Sequence, residues 1–197
     1  MLTTLKRLLG GERKGGGASP TRLSASDSEA RGLEAAQQDD IERFLEAARR
    51  ADAQGHSPWV LRDAARLDTL RRALEFTVHR GLWLQRDGER VAHWQGRLLA
   101  LRHGEGPPLG MLLACRPDDE AAWQLRFFFI EPQWQGSGHG ARLLLAARRS
   151  LSGTPLHTRL PVICEAAIHS LEAAGFQRMH VDAAEVASFE APAQWHR

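Results

Sequence analysis

The chain has 197 residues, with 26 Lys and Arg against 24 Asp and Glu, and a net charge of +2. So small a surplus gives no ground for expecting a nucleic-acid partner, while 43% hydrophobic content and six tryptophans suffice for one core plus an extension. Two cysteines, Cys115 and Cys164, give no disulfide framework and suit a reducing compartment, and no apolar run reaches transmembrane length.

Residues 1–38 differ in composition from the rest. Gly10 to Pro20 holds five glycines, serine, threonine and charged residues follow, and nothing there buries enough apolar surface to order itself. Leu2, Leu5, Leu8 and Leu9 make one short amphipathic turn at most, and Met1 to Gly10 has no signal-peptide core. An unordered extension on a cytoplasmic protein is expected. Asp39 to Ala53 reads as an extra helix (residues 39–55 with its stop, Gly55), with Ile41, Phe44, Leu45 and Ala48 on one face. Glu42, Arg43, Glu46 and Arg49 fall on the other.

The main domain is expected over residues 56–190, with 191–197 as a tail. Trp59-Val60-Leu61-Arg62-Asp63 is its predicted first strand. Asp68 caps a predicted helix to His79 whose buried stripe is Leu70, Ala73, Leu74, Thr77 and Val78. Asp87-Gly88 between two β-prone runs signals a hairpin. Strands are predicted at Val91–Leu101, Leu109–Cys115 and Trp123–Ile130, separated by short polar turns, as in an antiparallel meander. A helix from Gly138 to about Leu151 follows, then a strand at Leu156–Val162, a helix at Cys164–Ala174 stopped by Gly175, and a strand over Phe176–Asp182. The fold class is α/β, with a mixed, mostly antiparallel central sheet flanked by helices.

The run Ile130-Glu131-Pro132-Gln133-Trp134-Gln135-Gly136-Ser137-Gly138-His139-Gly140 joins a strand to a helix through glycines. Such a turn leaves amides unpaired at the positive end of the helix dipole, which suits a phosphate group. Glycine permits φ > 0 and a close approach of phosphate oxygens. A Walker loop is excluded because His139-Gly140-Ala141 lacks lysine and hydroxyl, and a dinucleotide loop belongs early in a βαβ unit.

In order and spacing the run resembles the acyl-CoA pyrophosphate loop of the GCN5-related N-acetyltransferases: Ile130, Pro132, Trp134, Gln135, Gly138 and Gly140 stand where that superfamily places its pattern. A second block, Ala166 to Phe176 ending in Gly175-Phe176, resembles the family's later helix. The resemblance implies an acyl-CoA-dependent N-acyltransferase, moving acetyl from acetyl-CoA to an amine by direct attack. It implies that Phe129, Ile130, Gln135, Gly136, Ser137, Gly138, His139 and Gly140 bind the cofactor, and that the Ile130 amide is the oxyanion donor. Glu131 beside it is the candidate base. A non-catalytic CoA-binding module of the same fold is the alternative, and a homodimer remains open.

The chain departs from that pattern where the family often has tyrosine, at Leu171; the sequence contains no tyrosine. His169 reads as a solvated histidine beside Glu165 and Glu172, Cys164 as a buried apolar group, and Ser170 as a weak donor to the thiolate through water. His93 and His103 read as structural. The nine histidines show no metal-ligand spacing. Acceptor contacts are expected within residues 63–105.

Overall fold

The computed structural model describes residues 32–88 and 90–195. Residues 1–31, most of the expected extension, lie outside that range, but its last part is structured. Glu34–Ala35 (β1) pair antiparallel with residues 99–100, and Ala36 is buried. The Gln37 N–H donates to the Asp40 carboxylate at 2.8 Å, and Arg102 binds the same carboxylate. A two-residue edge strand has no periodicity to read, which is why composition misses it. Cutting the chain before residue 38 therefore removes contacts that a cut before residue 32 keeps. The shorter protein is expected to melt about 4 °C lower, consistent with the loss of about 1.5 kcal/mol; equal melting temperatures in calorimetry would show that β1 adds nothing.

Asp40–Ala53 (α1) buries Ile41, Phe44, Leu45 and Ala48, the face that its spacing predicts. The connector after it is not a strand. Ser57 Oγ accepts the Trp59 N–H at 3.0 Å and the Asp52 carboxylate accepts the Leu61 N–H at 2.9 Å, so local side chains take amides that a ladder would need. Ala64–Arg80 (α2) starts earlier than the periodicity suggests, because Asp63 rather than Asp68 is its cap: Oδ1 accepts the Arg66 N–H at 2.8 Å. Asp68 pairs with Arg72 instead, at 2.7 Å. Gly81 ends α2 at φ 67°.

Then come Leu82–Asp87 (β2), Arg90–Arg102 (β3), Pro108–Arg116 (β4), Trp123–Ile130 (β5), His139–Ser150 (α3), Leu156–Pro161 (β6), Glu165–Ala173 (α4), Gln177–Val181 (β7) and Val186–Ala191 (β8). The sheet order is β1-β3-β4-β5-β6-β8-β7, with β2 beside β3, and only β5–β6 is parallel. β8, like β1, is a strand that the sequence reading leaves out. It lies between β6 and β7 and alternates buried Ala187, Phe189 and Ala191 with half-exposed residues, a period-two signal open to reading.

Two cores cover the two faces. Ile41, Phe44, Leu70, Leu74, Met111 and Leu113 pack under α1 and α2; Leu112, Leu143, Leu144, Ile168, Leu171 and Phe189 pack under α3 and α4. β4 is buried from Pro108 to Cys115 because helices cover both its sides.

β5 changes face midway. Leu113 pairs with Phe127 but Ala114 pairs with Leu125, leaving Arg126 as an extra, bulged residue. Trp123 and Leu125 therefore lie in the α3–α4 core, whereas Phe127 and Phe129 point under α1 and α2. Plain alternation would have put all four on one side.

Candidate active site

β5 and β6 run together only from Trp123–Leu156 to Leu125–Thr158. The buried Thr158 hydroxyl donates to the Leu125 carbonyl at 2.9 Å at this last pair. From Arg126 to Ile130 β5 has no β6 partner, and the strands part into a cleft open towards the α3 end of the molecule.

Ladder geometry decides which amides face the opening. The Glu131 N–H donates to the Leu109 carbonyl at 2.8 Å, so Gly110–Ile130 is a pair whose own backbone groups turn away from β4. The same alternation turns Phe128 outward. Ile130 thus presents its N–H to the cleft as expected, while its carbonyl accepts the Gln135 side-chain amide at 2.9 Å. Phe129 does not belong with the cofactor-facing residues. It pairs with Met111 through its backbone, and its ring packs on Phe44 with centroids 6.0 Å apart. The bulge exchanges its place with Phe128, and no sequence signal marks the exchange.

Glu131 is buried, and its carboxylate meets Arg50 of α1 at 3.4 Å; Arg50 also holds Glu46 at 2.9 Å. Arg50 is absent from any sequence-based list, because its partner is 81 positions away. The candidate base is thus buried at the cleft mouth and tied to α1.

After a single 3-10 turn, Pro132–Trp134, the chain makes its glycine turn. Gly136 and Gly138 have φ of 77° and 76°, and a Cβ at either would meet no protein atom within 4 Å. Their requirement is conformational, not steric. Gly138 caps α3 with no side-chain hydrogen bond to the first-turn amides, which leaves those amides to an outside acceptor. Ser137 is exposed, and His139 sits edge-on to Trp134 with centroids 6.0 Å apart. Gly140 has a steric requirement that the turn does not suggest. A Cβ there would come within 2.4 Å of Ser170 Oγ, so it lets α3 and α4 approach. Ser170 itself donates to the Ala166 carbonyl at 2.8 Å.

The remaining acid–base candidates are not gathered at the cleft. Leu171 is fully enclosed in the α3–α4 core, not at a pocket edge. His93, His103 and His169 are exposed. Burial pushes the Cys115 thiol up to about 12, partly offset by Arg126, and burial also raises Cys164, so neither is poised as a thiolate. Among the described residues no group of three His, Cys, Asp or Glu could hold a metal ion, and no helix is long and apolar enough to cross a membrane.

No protein-family model matches the chain, and no curated protein matches it in sequence. Solved structures do match. Spermidine N-acetyltransferase from Vibrio cholerae, in complex with CoA and spermine, superposes with a TM-score of 0.60 at 12% identity, over 82% of this chain and 94% of that one. RimL, a ribosomal L7/L12 alpha-N-protein acetyltransferase in complex with coenzyme A, gives 0.55 at 14% identity, over 82% and 93%. Superposition over most of both chains at such low identity shows that the chain has the fold of the GCN5-related N-acetyltransferases.

Proposed function

We propose that the protein is an acyl-CoA-dependent N-acyltransferase that moves acetyl from acetyl-CoA to an amine. The observation that carries this reading is the juxtaposition of an outward-facing amide at Ile130 with uncapped amides at the start of α3, on one side of a parted strand pair. We take the transferase domain to span residues 33–191 and its location to be cytoplasmic, in keeping with the two free buried thiols. An assembly of several copies is open to it; a dodecameric form of the Vibrio cholerae enzyme is known.

Gly136, Ser137, Gly138, His139 and the first turn of α3 would receive the pyrophosphate, with Gln135 fixing the turn against β5. Acetyl-CoA supplies an acyl carbon activated as a thioester. The Ile130 N–H is placed for the charge that develops on the acyl oxygen when the amine attacks. Glu131 is placed to take the proton that the nitrogen sheds, and Arg50 sets the position of its carboxylate. The C–S bond then breaks, and with no tyrosine in the chain the thiolate takes its proton from water.

Calorimetry with acetyl-CoA, followed by a thiol-release assay with an amine library, tests the reading. Binding with turnover is expected; binding without turnover would favour the non-catalytic module. Gly138→Asp probes the turn itself. It adds a strained φ and a carboxylate beside the phosphates, and should weaken acetyl-CoA at least about tenfold, or about 1.4 kcal/mol. Its melting temperature should fall by only about 2–6 °C, since a Cβ has open space and the strained φ costs about 1–2 kcal/mol. Unchanged affinity would remove the phosphate role of the turn.

A further inference from the structure

Four arginines of α1 and α2 are ion-paired. Arg50 meets Glu46 and Glu131, Arg66 meets Asp63 at 3.2 Å, Arg72 meets Asp68 at 2.7 Å, and Arg71 binds Glu42. Arg43, Arg49 and Arg80 of these helices and Arg62 of the connector have no such partner among the described residues, and Arg49 and Arg62 meet at one groove. Both are exposed, and among the described residues no hydrogen bond or ion pair engages either guanidinium. They line one groove of about 380 Å³, walled by Asp52, Ala53 and Leu61. Asp52 is its one carboxylate, and Oδ2 already accepts the Leu61 N–H. A larger groove of about 610 Å³ along α1 is balanced instead, with Asp39, Glu42 and Glu46 facing Arg43, Arg49 and Arg71.

Both elements that border the smaller groove also reach the strand that carries the transfer site. Arg49 is followed by Arg50, whose guanidinium holds Glu131. Trp59, on the connector that carries Leu61 and Arg62, packs on Phe127 of β5 with centroids 5.6 Å apart.

We propose that Arg49 and Arg62 receive a carboxylate of the acceptor, set back from its reacting amine, so that the acceptor is an acidic amine, whether an amino acid or the N-terminus of an acidic peptide. This rests on the acyltransfer reading. Guanidinium groups match carboxylates in geometry as well as charge. A polyamine would meet two unpaired cations and find Glu46 and Glu131 already held by Arg50. Because both arginines are exposed, their attraction is screened and falls with salt.

The test uses the full chain, acetyl-CoA and four acceptors: Ala-Glu-Glu-Ala amide, Ala-Gln-Gln-Ala amide, Ala-Lys-Lys-Ala amide and free glutamate. At low salt kcat/KM for the acidic peptide should exceed that for the neutral one by about tenfold, and the ratio should narrow at high salt. Turnover of glutamate above the peptide, or the reverse, tells the two sources apart. The double variant Arg49→Gln, Arg62→Gln should bring the acidic-to-neutral ratio close to unity. Arg49→Glu with Arg62→Glu should turn the preference towards the lysine peptide. Equal use of the three peptides by wild type, or a ratio unmoved in either variant, overturns the proposal. So does acetyl-CoA binding with no transfer to any acidic acceptor, which leaves the cofactor site standing. Absence of acetyl-CoA binding instead removes the reading on which the proposal rests.

Discussion

Leu171→Asp is expected to abolish the fold. The side chain is fully enclosed among Leu143, Leu144, Ile168 and Phe176, with no cation within that apolar cluster. Truncating a buried leucine alone costs about 2–5 kcal/mol, and an unpaired buried carboxylate adds a desolvation penalty on top. A domain of ordinary stability holds only about 5–15 kcal/mol in reserve. The variant should therefore be insoluble or lack a cooperative melt, while Leu171→Ala should remain folded with a lowered melting temperature. A soluble Asp variant with a wild-type melt would mean that α4 presents a different face to the sheet. Leu171→Tyr is constrained by the same enclosure: the site that other members of the fold can use for a phenol is filled here by packed aliphatic carbon.

Glu131→Gln should lower kcat about a hundredfold, within the usual range for a positioned general base. KM for acetyl-CoA should be unchanged, because the glycine turn and the Ile130 amide are untouched. The substitution keeps side-chain size, and Arg50 retains Glu46 at 2.9 Å, so no guanidinium is stranded and the melt should hold. Glu131→Asp, shorter by a methylene, should recover part of the rate. A kcat within about threefold of wild type would assign proton removal to solvent and leave Glu131 as the anchor of Arg50 alone.

Legibility followed the range of the interactions involved. Trp123–Ile130 was readable to the residue, and α1 and α3 nearly so, because apolar periodicity is local and each element buries one face. Gly136 and Gly138 were readable too, since positive φ is written into the residue type. The start of α2 is illegible because Asp63, its cap, reads as the end of a strand, and only the connector's hydrogen bonds show that no strand is there. Arg50 beside Glu131, and Ser170 against Gly140, are tertiary meetings with no sequence pattern. The steric need for Gly140 is illegible for that reason: the side chain that a Cβ would meet belongs to α4.

The bulge at Arg126 gives β5 a property akin to a reading frame. Which backbone amide faces the parted strands, and which aromatic rings lie beneath α1, follow from Arg126 standing outside the ladder. Arg126 is half-exposed, so its side chain is open to exchange. Pairing β5 without the bulge, with Arg126 on the rung opposite Leu113, would move Phe127 and Phe129 into the α3–α4 core and aim the Ile130 N–H at β4. Deleting Arg126 would instead set Phe127 on the rung next to Leu125 and leave those faces as they are.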